Sequence, residues 1–139
     1  MKPPVDVAGE TRVQVTRDSD IVKARMHGRA MAMQLGFPVT SATLIATAIS
    51  ELARNIVLYA GAGEITLSPI ENGTRRGLMV VASDSGPGIA DPTQSMRDGF
   101  STSGRLGLGL PGVRRLMDEF DLRSQAGEGT CVTVKKWNG

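Results

Sequence analysis

The sequence predicts a two-layer α/β sandwich, with helices on one face of a mixed, mainly antiparallel sheet. Three observations predict it. Between residues 18 and 56, apolar side chains recur at helical spacing in two long stretches. Two alternating stretches flank Asn72-Gly73, a strong hairpin signal. After a long Gly-rich segment, one more helical stretch leads into two closing strands. The order is strand, helix, helix, strand, strand, loop, helix, strand, strand. Helices that each carry one apolar stripe must bury it against such a sheet.

Each element has its own signal. Residues 1–10 carry Pro, Gly and charge and are expected to be a flexible N-terminus. Residues 11–16 alternate, with Val13 and Val15 on one face. Asp18 to Asp20 offers N-caps for a helix reaching about Leu35, with Ile21, Ala24, Gly28, Met31, Ala32 and Leu35 as its stripe. Gly36 and Pro38 stop it. Thr40 or Ser41 is expected to cap the second helix, whose stripe is Ile45, Ala48, Ile49, Leu52 and Ile56, and Gly61 ends it. Residues 64–70 and 77–83 read as strands, with Pro69 marking an edge or a late bend in the first. Asp91, with Pro92 after it, opens one helical turn within the loop. Leu110, Val113, Leu116, Met117 and Phe120 read as a third long helix. Residues 122–125 and 130–137 close the chain around Gly127-Glu128-Gly129.

Composition restricts the function classes. The 139 residues are 40% apolar and 22% charged, as in an ordinary globular chain, and residues 11–139 are expected to form one domain. Aromatics are only 4%, so Ile, Val, Leu, Met and Ala must fill the core. A net charge of +2 is too mild to point to nucleic acid. No run approaches the roughly 18 to 20 apolar residues of a membrane span, and the N-terminus has no signal-peptide pattern. The single cysteine, Cys131, alternates with core-facing residues and reads as a small buried hydrophobe. The expectation is a cytoplasmic protein without nucleic-acid or membrane partners.

Three separated pieces carry the chemistry. The first is Glu51-Leu52-Ala53-Arg54-Asn55 on the second helix. Glu51 and Asn55 are four apart and stack on one face. An amide oxygen at Asn55 suits Mg²⁺, a hard ion that takes its remaining ligands from water and phosphates. A carboxylate one turn earlier can take a proton from a hydroxyl or water beside the γ-phosphate. The same pair also fits a plain solvated helix face. Arg54 fits two roles as well, holding Glu51 or standing as a surface cation.

The second piece is Asp84-Ser85-Gly86-Pro87-Gly88, after the run 78–83. A carboxylate there accepts from the exocyclic amine of adenine, where guanine presents an acceptor. Gly86 and Gly88 let a flat ring approach the backbone. As turn chemistry the segment is equally ordinary.

The third piece is Gly104-Arg105-Leu106-Gly107-Leu108-Gly109, opening a helix with Gly112 one turn on. Free N–H groups and the helix dipole make such an end an anion site. Arg105 adds a charge-assisted contact to a terminal phosphate. Ser101, Thr102 and Ser103 add hydroxyls. The spacing Gly107-x-Gly109-x-x-Gly112 matches the dinucleotide fingerprint, but no βαβ unit surrounds it. No Walker A sequence is present. Thr130, after the last glycine pair, fits a nucleotide contact or a plain hairpin. The only histidine, His27, has Met26 and Gly28 beside it instead of an acid, which argues against a phosphorylated histidine.

Together the three pieces resemble the N, G1 and G2 boxes of the GHKL ATPases, and residues 127–130 resemble the last glycine box of that superfamily. Residues 48–56, 98–104 and 110–120 are similar specifically to the RsbT-type switch kinases of bacterial partner-switching pathways. The resemblance implies a GHKL (Bergerat-fold) ATP-binding domain with ATP and Mg²⁺ as cofactors. It implies Glu51 as catalytic base and Asn55 as the Mg²⁺ ligand. Asp84 would bind adenine, with Gly86, Gly88, Gly107 and Gly109 around the nucleotide. Arg105 would approach the γ-phosphate, and Ser103, Gly104, Leu110 and Thr130 complete the nucleotide-binding set. Histidine kinases often carry a lysine after the Ser/Thr run, where this chain has Gly104. The implied activity is an ATP-dependent serine/threonine kinase acting on STAS-domain stressosome proteins of the RsbS and RsbR type. It would then bind and activate a PP2C-type phosphatase of the RsbU type. The alternative is an anti-sigma factor of the RsbW or SpoIIAB type, which sequesters a sigma factor.

Overall fold

The computed structural model describes residues 9–86, 109–125 and 127–139. In them the chain runs β1 (Thr11–Val15), α1 (Asp18–Gln34), α2 (Val39–Asn55), a π-helical turn (Ile56–Ala60), β2 (Gly63–Asn72), β3 (Arg75–Asp84), α3 (Gly109–Leu116), β4 (Glu119–Gln125) and β5 (Gly129–Asn138). The sheet order is β1-β2-β3-β5-β4. All four pairings are antiparallel. This is the expected α/β sandwich, and no parallel pair occurs among the described residues.

Strand alternation sets the core. Val13 and Val15, Ile65 and Leu67, Leu78, Val80 and Ala82, and Val132 and Val134 are buried together with Ile21, Ala24, Ile45, Ile49, Leu52 and Val113 of the helices. The intervening positions, such as Thr66, Met79, Val81 and Thr133, are only half-buried and form the opposite sheet face. The two layers therefore meet in one aliphatic core, as the low aromatic content requires.

The first helix starts differently from the expectation. Its N-cap is Arg17, which makes no side-chain cap bond, and Asp18 is already helical. The acid acts from inside the first turn: Asp20 Oδ2 accepts from the Thr16 backbone N–H at 2.9 Å and the Thr16 hydroxyl at 3.2 Å. That bond is like the return half of a capping box, but it reaches the residue before the N-cap. The helix ends as predicted on Gly36, at φ 86. Gly36 N–H donates to Met33 O and Phe37 N–H to Ala32 O, a Schellman closure. Gly28 lets α1 and α2 approach, since a Cβ there would collide with Ile49 Cδ1.

The second helix begins at Val39, and Pro38 stands at its N-cap with φ −59 and ψ 154. Thr40 and Ser41, expected as caps, lie within the first turn. The proline holds the extended conformation that an N-cap needs, and its carbonyl takes the first helical bond from Ala42 N–H at 2.9 Å. With the π-helical turn, the segment Val39–Ala60 is long and apolar enough, by length and composition, to cross a membrane. It is 56% buried over its most apolar window, as a core helix is.

The hairpin forms where predicted, with Asn72 paired to Arg75 across Gly73 at φ 65. Pro69 lies two residues beyond Leu67, the last β2 residue paired to β1, so its missing N–H falls where the outer edge is open. The third helix is shorter than its periodicity suggests. It stops at Leu116, and Phe120 belongs to β4, paired with Val134. The helix end is tied to β5 instead: Asp118 N–H donates to Lys135 O, Lys136 Nζ to Leu116 O and Trp137 N–H to Asp118 Oδ2.

Candidate nucleotide site

The acidic helix position is built by α2. Glu51 is 7% exposed, one of two polar residues buried among the described residues. Burying a carboxylate is costly unless it is paired. Arg54, one turn later, supplies the pairing, its Nη1 donating to Glu51 Oε2 at 2.7 Å. Arg54 thus holds the acid rather than standing as a free surface cation. Asn55 is the last residue of α2, half-buried, on the same helix face as Glu51.

The backbone then widens into the π-helical turn, closed by Gly61 N–H to Ile56 O at 2.8 Å. Such turns often occur at functional positions. This one connects the α2 residues to the end of β3. Its first residue, Ile56, reaches Gly63, where a Cβ would lie 2.8 Å from Ile56 Cγ2 and 3.0 Å from Asp84 Cβ. Its last residue, Ala60, lies on Gly86.

Asp84 ends β3 on the sheet face that carries Leu78, Val80 and Ala82 toward the helices. It is paired with Gly63 on one side and Thr130 on the other. Its Oδ1 accepts from Gly86 N–H at 2.9 Å, which fixes the carboxylate in a turn. Its Oδ2 takes no bond from another described residue. Gly129, at φ 92, crosses so close that a Cβ would collide with Asp84 O and come within 2.9 Å of Ser85 Cα. Thr130 Oγ1 lies 2.8 Å from Ser124 Oγ, which also donates to Gly129 O at 3.0 Å.

The predicted residues therefore gather in two groups. Asp84, Gly86 and Thr130 converge at the junction of β2, β3 and β5, while Glu51 and Asn55 project from α2 beside it. Gly109 starts α3 at φ 63, and Leu110 is buried. Gly88, Ser103, Gly104, Arg105 and Gly107 lie outside the described residues, as do Ser101, Thr102 and the helical turn expected at Asp91. Sequence reasoning missed Ala60 and Gly63 as close neighbours of Gly86 and Asp84, and placed Gly129 only within a turn resembling the last glycine box. A glycine inside a strand start, as at position 63, was the available signal.

A family model described as the histidine kinase-like ATPase domain matches residues 15–136. The chain belongs to that family. It is 54% identical over 125 residues to the serine/threonine-protein kinase RsbT of Bacillus subtilis (strain 168), covering 90% of this chain and 94% of the relative. This histidine kinase-like ATPase is accordingly an RsbT-type serine/threonine kinase. It is also similar to the anti-sigma F factor of Thermoanaerobacter sp. (strain X514), at 31% identity over 84% of each chain. Its fold matches the crystal structure of the RsbU and RsbW domains of a Mycobacterium tuberculosis protein, with TM-score 0.62 and 17% identity. That match covers 93% of this chain and spans 32% of the longer one.

The donor set fits the nucleotide of such an ATPase. A half-buried carboxylate with one oxygen fixed and one oxygen left for a ligand suits an amine such as that of adenine. The amide oxygen of Asn55, one turn from Glu51, is a ligand type that Mg²⁺ accepts.

Proposed function

We propose that this kinase transfers the γ-phosphoryl group of Mg-ATP to a serine or threonine on a STAS-domain protein of the RsbS and RsbR type. The buried Glu51 carboxylate, held by Arg54 one turn before Asn55, carries this reading. Asp84 selects adenine through its remaining oxygen. Asn55 would hold Mg²⁺, which would supply positive charge against the phosphates. Gly86 and Thr130 line the base end. By the family resemblance, Gly88, Ser103, Gly104, Arg105, Gly107, Gly109 and Leu110 would serve the nucleotide, and Arg105 the charge of the γ-phosphate.

Glu51 accepts the proton of the attacking hydroxyl as its oxygen bonds to the γ-phosphorus. The bond from that phosphorus to the β,γ-bridging oxygen breaks, and ADP leaves with the electron pair. The Arg54 contact helps to keep the carboxylate aimed. After transfer, the kinase releases its phosphorylated substrate and binds a PP2C-type phosphatase of the RsbU type, activating it.

The anti-sigma reading is supported by the similarity to anti-sigma F factors, and a cytoplasmic partner-switching setting suits both readings. The higher identity to RsbT favours the switch kinase. The test is direct. The purified protein, Mg-ATP and a purified STAS-domain antagonist are incubated, and phosphate is sought on serine or threonine by mass spectrometry. Stoichiometric phosphorylation supports the reading. No transfer, with a sigma factor retained instead in a binding assay, overturns it.

A further inference from the structure

We propose that the exposed outer face of α2, from Val39 to Thr47, is the docking surface that seats the hydroxyl-bearing protein substrate over Glu51; this rests on the kinase reading above. Residues 38–50 contain no charged side chain. A helix face turned to solvent normally carries charge. Here Val39 is 55% exposed and Leu44 39%, with Thr40 and Thr43 exposed as well. The threonines add less polarity than their names imply. Thr43 Oγ1 donates to Val39 O and Thr47 Oγ1 to Thr43 O, each at 2.9 Å. With the hydroxyl protons of Thr43 and Thr47 committed to the helix backbone, these two side chains are less polar toward a partner.

Leu44, Thr47 and Glu51 follow at spacings of three and four, so the apolar strip and the carboxylate share one side of one helix. At 1.5 Å per residue, Leu44 lies about 10 Å along the axis from Glu51. A folded domain lying on the strip therefore brings a neighbouring hydroxyl to the carboxylate. Continuity with the catalytic carboxylate names the occupant as the phosphate acceptor: a protein with an uncharged, apolar patch beside its target serine or threonine. The exposed apolar residues of α1 contrast with it. Val22, Met26 and Met33 are interleaved with Lys23, Arg25 and Arg29, the pattern of a solvated face.

The experiment compares wild type with Leu44→Asp, Val39→Asp and the double variant in steady-state phosphorylation of a purified STAS-domain antagonist. Met26→Asp serves as the control, carrying the same change at an exposed apolar site on α1. The expected result is a KM for the protein substrate raised at least tenfold in the double variant, with kcat within twofold. ATP affinity and melting temperature should stay at wild-type values, and Met26→Asp should change nothing. Unchanged KM in the double variant overturns the proposal, as does the same loss in Met26→Asp. A shift from dimer to monomer in sedimentation with KM unchanged overturns it in favour of a self-association face. Should wild type not phosphorylate the STAS protein, the substrate reading fails separately. A photo-crosslinking residue at position 44 then decides the docking claim. The captured protein, once purified, must be one that the kinase labels with γ-phosphate, and capture of an unlabelled protein overturns the claim.

Discussion

Gly86 lies so close to Ala60 that a Cβ on the glycine would be 2.6 Å from the alanine Cβ and 2.8 Å from its Cα. The end of β3 and the π-helical turn are thereby pressed together beside Asp84. One wall atom is backbone and cannot rotate away. We expect Gly86→Ala to cost about 1 to 3 kcal/mol of stability through overpacking. It should also push the two segments apart and weaken ATP binding. Thermal melts with and without ATP check both. A variant that melts and binds like wild type would show that the two segments separate freely.

Glu51→Gln keeps the size of the side chain and removes the proton acceptor. Phosphorylation should fall by about 10² to 10⁴-fold in kcat, with Mg-ATP affinity near wild type. Wild-type kcat in single-turnover assays would exclude Glu51 as the base. The amide also loses its ion pair with Arg54, so Arg54→Ala is the companion variant. A fall in kcat there, with partial recovery in Arg54→Lys, identifies positioning of the carboxylate as the role of the arginine.

Asn55→Ala should weaken Mg-ATP much more than metal-free adenosine, because adenosine has no phosphates for an ion to bridge. Calorimetric titration of both ligands checks this. Equal losses would place Asn55 in packing at the end of α2.

Asp84→Asn should weaken every adenine nucleotide by about ten- to a hundredfold, the worth of a hydrogen bond to a charged acceptor. It should also relax discrimination against guanine, since an amide can donate to the guanine carbonyl. Titrations with ATP and GTP measure both effects, and unchanged ATP affinity removes Asp84 from the base pocket.

Much of this was legible in the residues, for identifiable reasons. Ile45, Ala48, Ile49, Leu52 and Ile56 kept helical spacing, and all are buried. Asn72-Gly73 marked its hairpin because only a few residue types accept that turn. Phe120 was misread because its distance from Leu116 and Met117 continues the helical period. Only the bonds from Asp118, Lys136 and Trp137, far apart in sequence, show that the helix has ended. The cap of α2 was misplaced because Thr40 and Ser41 have the favoured side chains, whereas Pro38 acts through its backbone. Glu51 and Asn55 could be paired by spacing alone. That Arg54 holds Glu51 could not, since an i,i+3 pair is compatible with two solvated charges. The Ala60, Gly63 and Gly129 contacts are backbone approaches between distant segments, and small residues leave little trace of them.

A pH effect follows from α1. The hydrogen bond from Thr16 N–H holds the Asp20 carboxyl below its ordinary value, with burial opposing it. A carboxylate with a depressed folded value stabilises above the unfolded value and loses that contribution as pH falls through the folded one. The melting temperature of Asp20→Ala should therefore lie below wild type at neutral pH. The gap should close as the pH drops below the usual carboxylate range. A gap that persists unchanged in acid would assign the effect to helix propensity.

The π-helical turn makes loop length a matter of chemistry. Five residues separate Asn55 from Gly61, and their wide winding points Ile56 at Gly63 and Ala60 at Gly86. Deleting one of them would tighten the winding to an ordinary α-turn and swing Ala60 away by roughly a quarter of a revolution. The end of α2 that carries Asn55 would keep its place, yet Gly86 and the Asp84 turn would lose Ala60 as a neighbour. Substitutions along this stretch are tolerable wherever small size is kept at position 60, whereas a change in its length separates Asn55 from the end of β3.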